Sequence, residues 1–241
     1  MARSSREYIY GINPAFECLR AGRRTLFEAF LSQSSERNPR LRKLERLFQE
    51  HQIQVNWVEK GRIMDLSGSK DNQGVVIKVS PYPYIPLSDM LDQDRLLLLD
   101  NVEDPHNVGA ILRSAEVFGF HHVLLTTKGT PEIYPSVVKV SAGATEFLAI
   151  CREKSATHYT QAFIEHGYEI VALDAKGTTP LESLRHAGLR RLALVVGGED
   201  RSVGQYILNH AAYIASIPQK GRINSLNASI AAALAMHTLA L

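Results

Sequence analysis

Cysteine is scarce in this 241-residue chain. Only Cys18 and Cys151 occur, neither with a metal-ligand partner at short spacing, so a disulfide scaffold and a zinc ribbon are both excluded. Long apolar runs are missing as well. The longest, such as Ala231 to Ala235 and Leu96 to Leu99, fall far short of the roughly 18 to 20 residues that span a bilayer, so no membrane span is expected. The opening MARSSREYIYG has two arginines and no apolar stretch behind them; no secretory leader is expected, and the cytoplasm is the expected compartment. Ten prolines and sixteen glycines are too few for a disordered or collagenous chain. No Gly-x-Gly-x-x-Gly follows a strand, and there is no Walker loop and no Gly-x-Ser-x-Gly elbow, which removes the usual dinucleotide, P-loop and α/β-hydrolase readings. The nine histidines are scattered, and His121-His122 lacks the i, i+4 spacing of a helical metal site, so no metal is expected.

What is present is a globular composition, 45% hydrophobic and 22% charged, long enough for one large domain or two small ones. The net charge of +2 is uninformative, but its distribution is not. Residues 1 to 62 hold twelve lysines and arginines against seven acids, whereas residues 63 to 104 hold three against eight. A basic amino-terminal module can follow a phosphate backbone by displacing condensed counterions. The plainer alternative makes Arg37, Arg40, Arg42, Lys43 and Arg46 the solvated face of a helix.

A boundary is visible at residues 80 to 89, SPYPYIPLSD, where three prolines within six residues stiffen the chain. The expected division is a small α/β domain over 1–79, a Pro-rich linker over 80–93 and a larger domain over 94–241. Before the linker, the pattern predicts a helix from Asn13, a strand near Leu26 to Leu31, a helix from Pro39 to Glu50, and strands over 53–58 and 74–79. After it come short apolar runs at 96–100, 122–126, 147–151, 169–174, 192–196 and 213–217, separated by helical segments. That is the signature of parallel strands covered on both faces.

In such a sheet ligands bind beyond the carboxyl ends of the strands. Three strand ends stand out. In the first, residues 96 to 119, polar groups crowd the tip before a helix beginning near Asn107, and Arg113 follows one and a half turns later. Alone, Asn107 reads equally as an N-cap and Arg113 as an ion-pair partner of Glu116. In the second, residues 192 to 204, a buried strand runs into Gly197, Gly198 and Glu199, bare backbone suited to a flat adenosine or a phosphate but also to any tight turn. In the third, residues 216 to 235, a Pro bend, Gly221, Ser225 and Asn227 lead into an alanine-rich helix.

Taken together, Asp104-Pro105-x-Asn107-x-Gly109-x-x-x-Arg113 with Ala115, Gly197-x-Glu199, and Ile217-Pro218 followed by Ser225-Leu226-Asn227-x-Ser229 resemble the three motifs of the SpoU-type RNA 2′-O-methyltransferases of the SPOUT superfamily. Tyr10-Gly11 and Gln73-Gly74 resemble the small RNA-binding module that many members carry. The resemblance implies an α/β fold whose parallel sheet closes with a trefoil knot. It also implies a homodimer, S-adenosylmethionine as methyl donor, and a ribose 2′-hydroxyl as acceptor, nearest to a guanosine of 23S ribosomal RNA. Arg113 is then the catalytic residue, with Asn107, Glu199, Ser225 and Asn227 shaping the site. The donor falls to Gly197, Ile217, Leu226, Gly221 and, by position, Thr126. Arg40 and Arg42 are the expected RNA contacts. The chain departs from the family pattern at Asn72, Gly198, Asp200, Ser202 and Gln219. A transfer RNA methyltransferase and a non-catalytic ribosome-assembly protein are the alternatives.

Overall fold

The computed structural model describes residues 6–199, 202–222 and 226–240; Ser225 and Asp200 therefore lie outside the described residues. The chain divides into two units, residues 1–83 with 133–146, and residues 84–132 with 147–241.

The smaller unit begins with β1 (Glu7–Tyr10), α1 (Ile12–Ala21), β2 (Leu26–Ser32), α2 (Pro39–Glu50), β3 (Gln54–Val58), α3 (Lys60–Ser67) and β4 (Val75–Val79). The sheet order is β1-β4-β2-β3, with β4 antiparallel to both neighbours and β2 parallel to β3. Strand β1 and helix α3 are additions to the elements expected from sequence. β1 is only four residues long, too short for its alternation to stand out, and it sits at the sheet edge. Helix α2 starts where its sequence dictates: Asn38 accepts the Arg40 amide and Pro39 occupies the first turn. It buries Leu41, Leu44 and Phe48, one apolar stripe at three- and four-residue spacing.

The larger unit opens with β5 (Arg95–Asp100), α4 (Pro105–Val117) and β6 (His122–Leu125). The next helix, α5 (Pro135–Val140), belongs to the smaller unit. The larger unit resumes with β7 (Ala149–Cys151), α6 (Ala156–Glu165), β8 (Glu169–Leu173), β9 (Thr179–Pro180), β10 (Leu192–Gly197), α7 (Gln205–His210), β11 (Tyr213–Ser216) and α8 (Ala228–Ala240). Its seven strands are all parallel in the order β7-β6-β5-β10-β8-β11-β9. The apolar runs of the sequence are these strands, buried on both faces: Leu96 to Leu99 and Ala193 to Val195 are fully inaccessible. One face packs on Tyr159 and Phe163 of α6 and Ile207 of α7. Helices α4 and α8 pack on each other, and α8 also meets β8 and β10.

The order reverses between β5 and β10. Strands β6 and β7 continue from β5 to one side, and β10 and β8 lie to the other. A crevice at the carboxyl ends of this switch point is where an open α/β sheet presents its site. Among the described residues no helix is long and apolar enough to cross a membrane, and no His, Cys, Asp and Glu side chains are grouped to hold a metal ion.

Candidate active site

Several strand ends and the starts of two helices meet in the crevice. β10 pairs residue for residue with β5, so Gly197 stands opposite Asp100. The Gly198 amide donates to the Asp100 carbonyl at 3.1 Å, and the Gly204 amide to the Asp100 carboxylate at 3.0 Å. Asp100 is 4% exposed, and burial raises its pKa above the usual carboxylate range against the opposing effect of the Gly204 amide. Gly197 is required here by close approach: a Cβ would lie 2.5 Å from the Val203 amide nitrogen and 2.7 Å from the Ser202 carbonyl carbon.

Helix α4 starts two residues earlier than expected, because Asp104 accepts the His106 amide at 2.8 Å and Pro105 fills the first turn. Asn107 is thereby released from capping. Its Nδ2 donates to Glu199 Oε1 at 3.0 Å, and its Oδ1 accepts Asn227 Nδ2 at 2.9 Å. Asn227 Nδ2 also donates to Glu199 Oε1 at 2.5 Å, while Asn227 Oδ1 caps α8 through the Ser229 and Ile230 amides. The Ala228 amide adds a longer bond to Glu199 at 3.4 Å. A carboxylate at the start of a 13-residue helix lies where the helix dipole favours it. Asn107, Glu199 and Asn227 thus form one hydrogen-bonded network, each side chain locked by the other two.

Beside the network lies a cavity of about 430 Å³. Gly197, Glu199, Ile217, Leu226 and Asn227 line it, five of the residues singled out from sequence. Leu226 is 37% exposed, an apolar wall facing the opening. Two expected residues are elsewhere. Thr126 is buried, with its hydroxyl engaged by the Lys128 carbonyl and Thr130, and Gly221 is exposed away from the lining. Arg113 is exposed on α4 and, among the described residues, forms no ion pair with Glu116 or any other acid. Six residues beyond Asn107, it is rotated about 120° round the helix from the network. The cavity also has a wall the sequence reading passed over, Asp174, Ala175 and Lys176 at the end of β8. Asp174 accepts from the Lys176 amide at 2.7 Å and from the Ser202 hydroxyl at 2.5 Å. An acid ending the apolar run EIVALD was the available signal.

The cavity offers backbone edges, apolar walls and two carboxylates, a surface suited to a flat heterocycle carrying a polar tail. Of the sequence-expected RNA contacts, Arg40 reaches the Asn13 amide oxygen at 2.5 Å. Arg42 is held by Glu36 at 2.7 Å and Glu45 at 2.9 Å and lies 5.1 Å over the Trp57 ring.

Comparison with known proteins places this geometry. Residues 94–237 match the SpoU rRNA methylase family, and residues 8–85 match the RNA 2′-O ribose methyltransferase substrate-binding family. A Mycobacterium avium protein named as an uncharacterized tRNA/rRNA methyltransferase is 31% identical over 236 residues, 95% of this chain and 75% of its own length. A solved structure described as an AdoMet-bound rRNA methyltransferase from Sinorhizobium meliloti shares the fold at a TM-score of 0.80 and 21% identity, covering 98% of this chain and 87% of that one. An A. aeolicus TrmH/SpoU tRNA-modifying enzyme aligns over only 61% of this chain and 75% of its own, at a TM-score of 0.54 and 24% identity. The chain belongs to the SpoU rRNA methylase family, with the methylase domain in its carboxyl-terminal part and the substrate-binding domain in its amino-terminal part.

Proposed function

We propose that this protein transfers the methyl group of S-adenosylmethionine to a ribose 2′-hydroxyl of RNA, on a guanosine of large-subunit ribosomal RNA. The observation that carries the reading is the Asn107–Glu199–Asn227 network standing beside a cavity walled by Gly197, Ile217 and Leu226. The residues fit the donor: apolar Ile217 and Leu226 suit a purine face, backbone at Gly197 and Gly198 suits its edge, and the carboxylate of Asp174 suits hydroxyl or ammonium groups. When bound, the donor supplies an electrophilic methyl on a sulfonium.

The chain's own task is orientation, because a protonated 2′-hydroxyl is a weak nucleophile that needs in-line approach at close range. The network fixes the start of α8 against the first turn of α4 and the segment that follows β10, so the cavity wall cannot drift from the polar groups. A guanidinium is a poor general base, so the role of Arg113 in this reading is to hold a phosphate and stabilise developing alkoxide charge. Replacing Arg113 by Lys is expected to lower turnover while leaving RNA affinity near its original value. Full turnover in that variant removes the special role of the guanidinium.

Arg113 points to a second copy. Helix α8 is apolar on all sides, which in a stable helix implies burial all round, yet Ile230 is 53% exposed and Leu234 42%. With Ala110 and Ser114 of α4 and Phe118 just beyond its end they line an apolar groove of about 380 Å³, and Val117 stands 66% exposed on α4. In our reading this face is covered by its symmetry mate, and Arg113 serves the partner's site. Mixing Arg113→Ala with Glu199→Ala, each strongly impaired alone, then restores methyl transfer, since one site of the mixed dimer is intact. Two variants that do not complement place Arg113 in its own subunit.

The deciding experiment is transfer of labelled methyl to unmodified ribosomal RNA and, separately, to unmodified transfer RNA, followed by digestion to nucleosides. Label in 2′-O-methylguanosine from ribosomal RNA supports the proposal. Label only from transfer RNA favours the other substrate, against which the 61% coverage by the tRNA-modifying neighbour counts. Neither label nor donor binding leaves the assembly-factor reading.

A further inference from the structure

The amino-terminal unit holds a second cavity, of about 720 Å³, between α1 and α2. It is remote in sequence from the three motifs of the larger unit, and its volume lies within the range of ordinary ligand sites. Its lining includes Asn13, Phe16, Arg40, Lys43, Leu47 and His51. The helices do not need these side chains for their core. Helix α1 buries Ile12, Ala15 and Cys18, and α2 buries Leu41, Leu44 and Phe48. Phe16 follows Ala15 by one position, about 100° round the helix, and is only half-buried. Arg40, Lys43 and Leu47 form a second stripe on α2, at three- and four-residue spacing, one position before Leu41, Leu44 and Phe48.

We infer that this groove takes one unstacked nucleotide of a single-stranded RNA segment, its base against Phe16 and its phosphates on Arg40 and Lys43. The inference rests on the proposed reading that RNA is the substrate and names where the small unit grips it. Three features select that ligand. The Arg40 guanidinium and the Lys43 ammonium both lie 5.7 Å from the centre of the Phe16 ring, an aromatic face flanked by exposed cations. Such a face stacks any base while the cations exchange onto phosphate. The carboxylate in the lining, Glu17, is paired with Arg20 at 3.5 Å, so the groove keeps a positive excess that complements a polyanion. Asn13 accepts from Arg40 through Oδ1, and its Nδ2 makes no hydrogen bond among the described residues, which leaves an amide donor for a base edge. Duplex RNA is disfavoured, because its paired bases cannot splay out to reach a recessed ring.

The test uses the full chain and two fluorescein-labelled probes, a nine-nucleotide single-stranded RNA and a 20-base-pair RNA duplex, followed by anisotropy. Phe16→Leu keeps the apolar volume and removes the stacking face. It is expected to weaken the single strand by about 5- to 150-fold and to leave the duplex within twofold. Lys43→Gln, an exposed change, is expected to lower the salt slope of single-strand binding by about 0.7. Unchanged single-strand affinity in Phe16→Leu, or equal loss for both probes, overturns the inference, as does an unchanged slope in Lys43→Gln. A labelled decaglutamate peptide bound more tightly than the RNA also overturns it, by assigning the groove to an acidic partner. Methyl transfer by the unaltered protein is followed in parallel. Transfer with Phe16→Leu at full single-strand affinity defeats the groove alone, whereas the expected Phe16→Leu loss without any transfer defeats the proposed reaction alone.

Discussion

The two units hold their polar side chains in opposite ways. In the large unit Asn107, Glu199 and Asn227 come from segments 28 to 120 residues apart, and each is fixed by hydrogen bonds to the other two. In the small unit Arg40 and Lys43 stand on the exposed face of one helix, where they meet an amide oxygen and an aromatic face. Methyl transfer is lost to a displacement of an ångström, so its groups must be locked together. A grip on a phosphate chain tolerates movement and gains from side chains that can follow the ligand. Polar side chains are thus locked in one unit and adaptable in the other.

The small unit does have one rigid polar centre, and breaking it should give the largest effect. The Arg24 side chain is fully buried; it pairs with Glu146 at 3.5 Å and Glu7 at 2.5 Å and donates to the Ser80 carbonyl at 2.8 Å. Glu146 reaches it from the segment 133–146, which lies far along the chain. Arg24→Met leaves the inaccessible Glu146 carboxylate without its cation and is expected to cost about 3–5 kcal/mol, read as a fall in the urea midpoint. A loss below about 1 kcal/mol contradicts a structural role for this pair.

Next in size is the lock itself. Glu199→Ala removes the acceptor shared by Asn107, Asn227 and the α8 amide, freeing the cavity wall from the strand tips. A drop of about 100-fold in kcat is expected, with single-strand RNA affinity unchanged, because the RNA grip belongs to the other unit. Equal losses in kcat and RNA affinity would erase the division of labour between the units.

This contrast also explains what the sequence revealed. The parallel sheet was legible because its strands are buried on both faces and read as unbroken apolar runs, from Leu96–Leu99 to Leu192–Val196. The candidate site was legible in part, since Asn107, Gly197, Glu199 and Asn227 stand at strand or helix ends, and the structure brings Asn107, Glu199 and Asn227 into one hydrogen-bonded network. Local signals misplaced the start of α4: Asn107 is a good cap by type, but Asp104-Pro105 is a better one, and only the fold shows which was used. Asp174 was passed over because the acid ending its strand resembles any turn. The Arg24–Glu146 pair was beyond local reading altogether, for it joins residues 122 positions apart.

Among the described residues each unit also buries one carboxylate, which makes the comparison titratable. Burial raises Glu146 above its ordinary 4.5, against the pull of Arg24, and raises Asp100 above its ordinary 3.8. A raised carboxylate binds its proton more tightly in the folded chain, so its favourable contribution is full below the ordinary value and is lost as pH rises through the raised one. Stability is therefore expected to decline across that window in the unaltered protein. Glu146→Gln and Asp100→Asn should each flatten the decline, read as urea midpoints at several pH values. A slope that survives both replacements assigns the titration to other groups.

The smallest expected effect separates two arginines on one helix that sequence alone treats alike. Arg42 is neutralised by Glu36 and Glu45 and rests on Trp57, whose indole nitrogen donates to Glu45 at 2.7 Å. A phosphate that recruits Arg42 must first displace two carboxylates, and those carboxylates repel it. Arg40 has an amide oxygen and the Phe16 face to release and, among the described residues, no carboxylate. Arg42→Gln should therefore change single-strand RNA affinity by less than about twofold and leave its salt slope intact. Arg40→Gln should lower the slope by about 0.7, the value for one phosphate contact on a single strand. Equal slopes for the two variants would mean that the whole basic face of α2, and not the groove beside Phe16, carries the RNA.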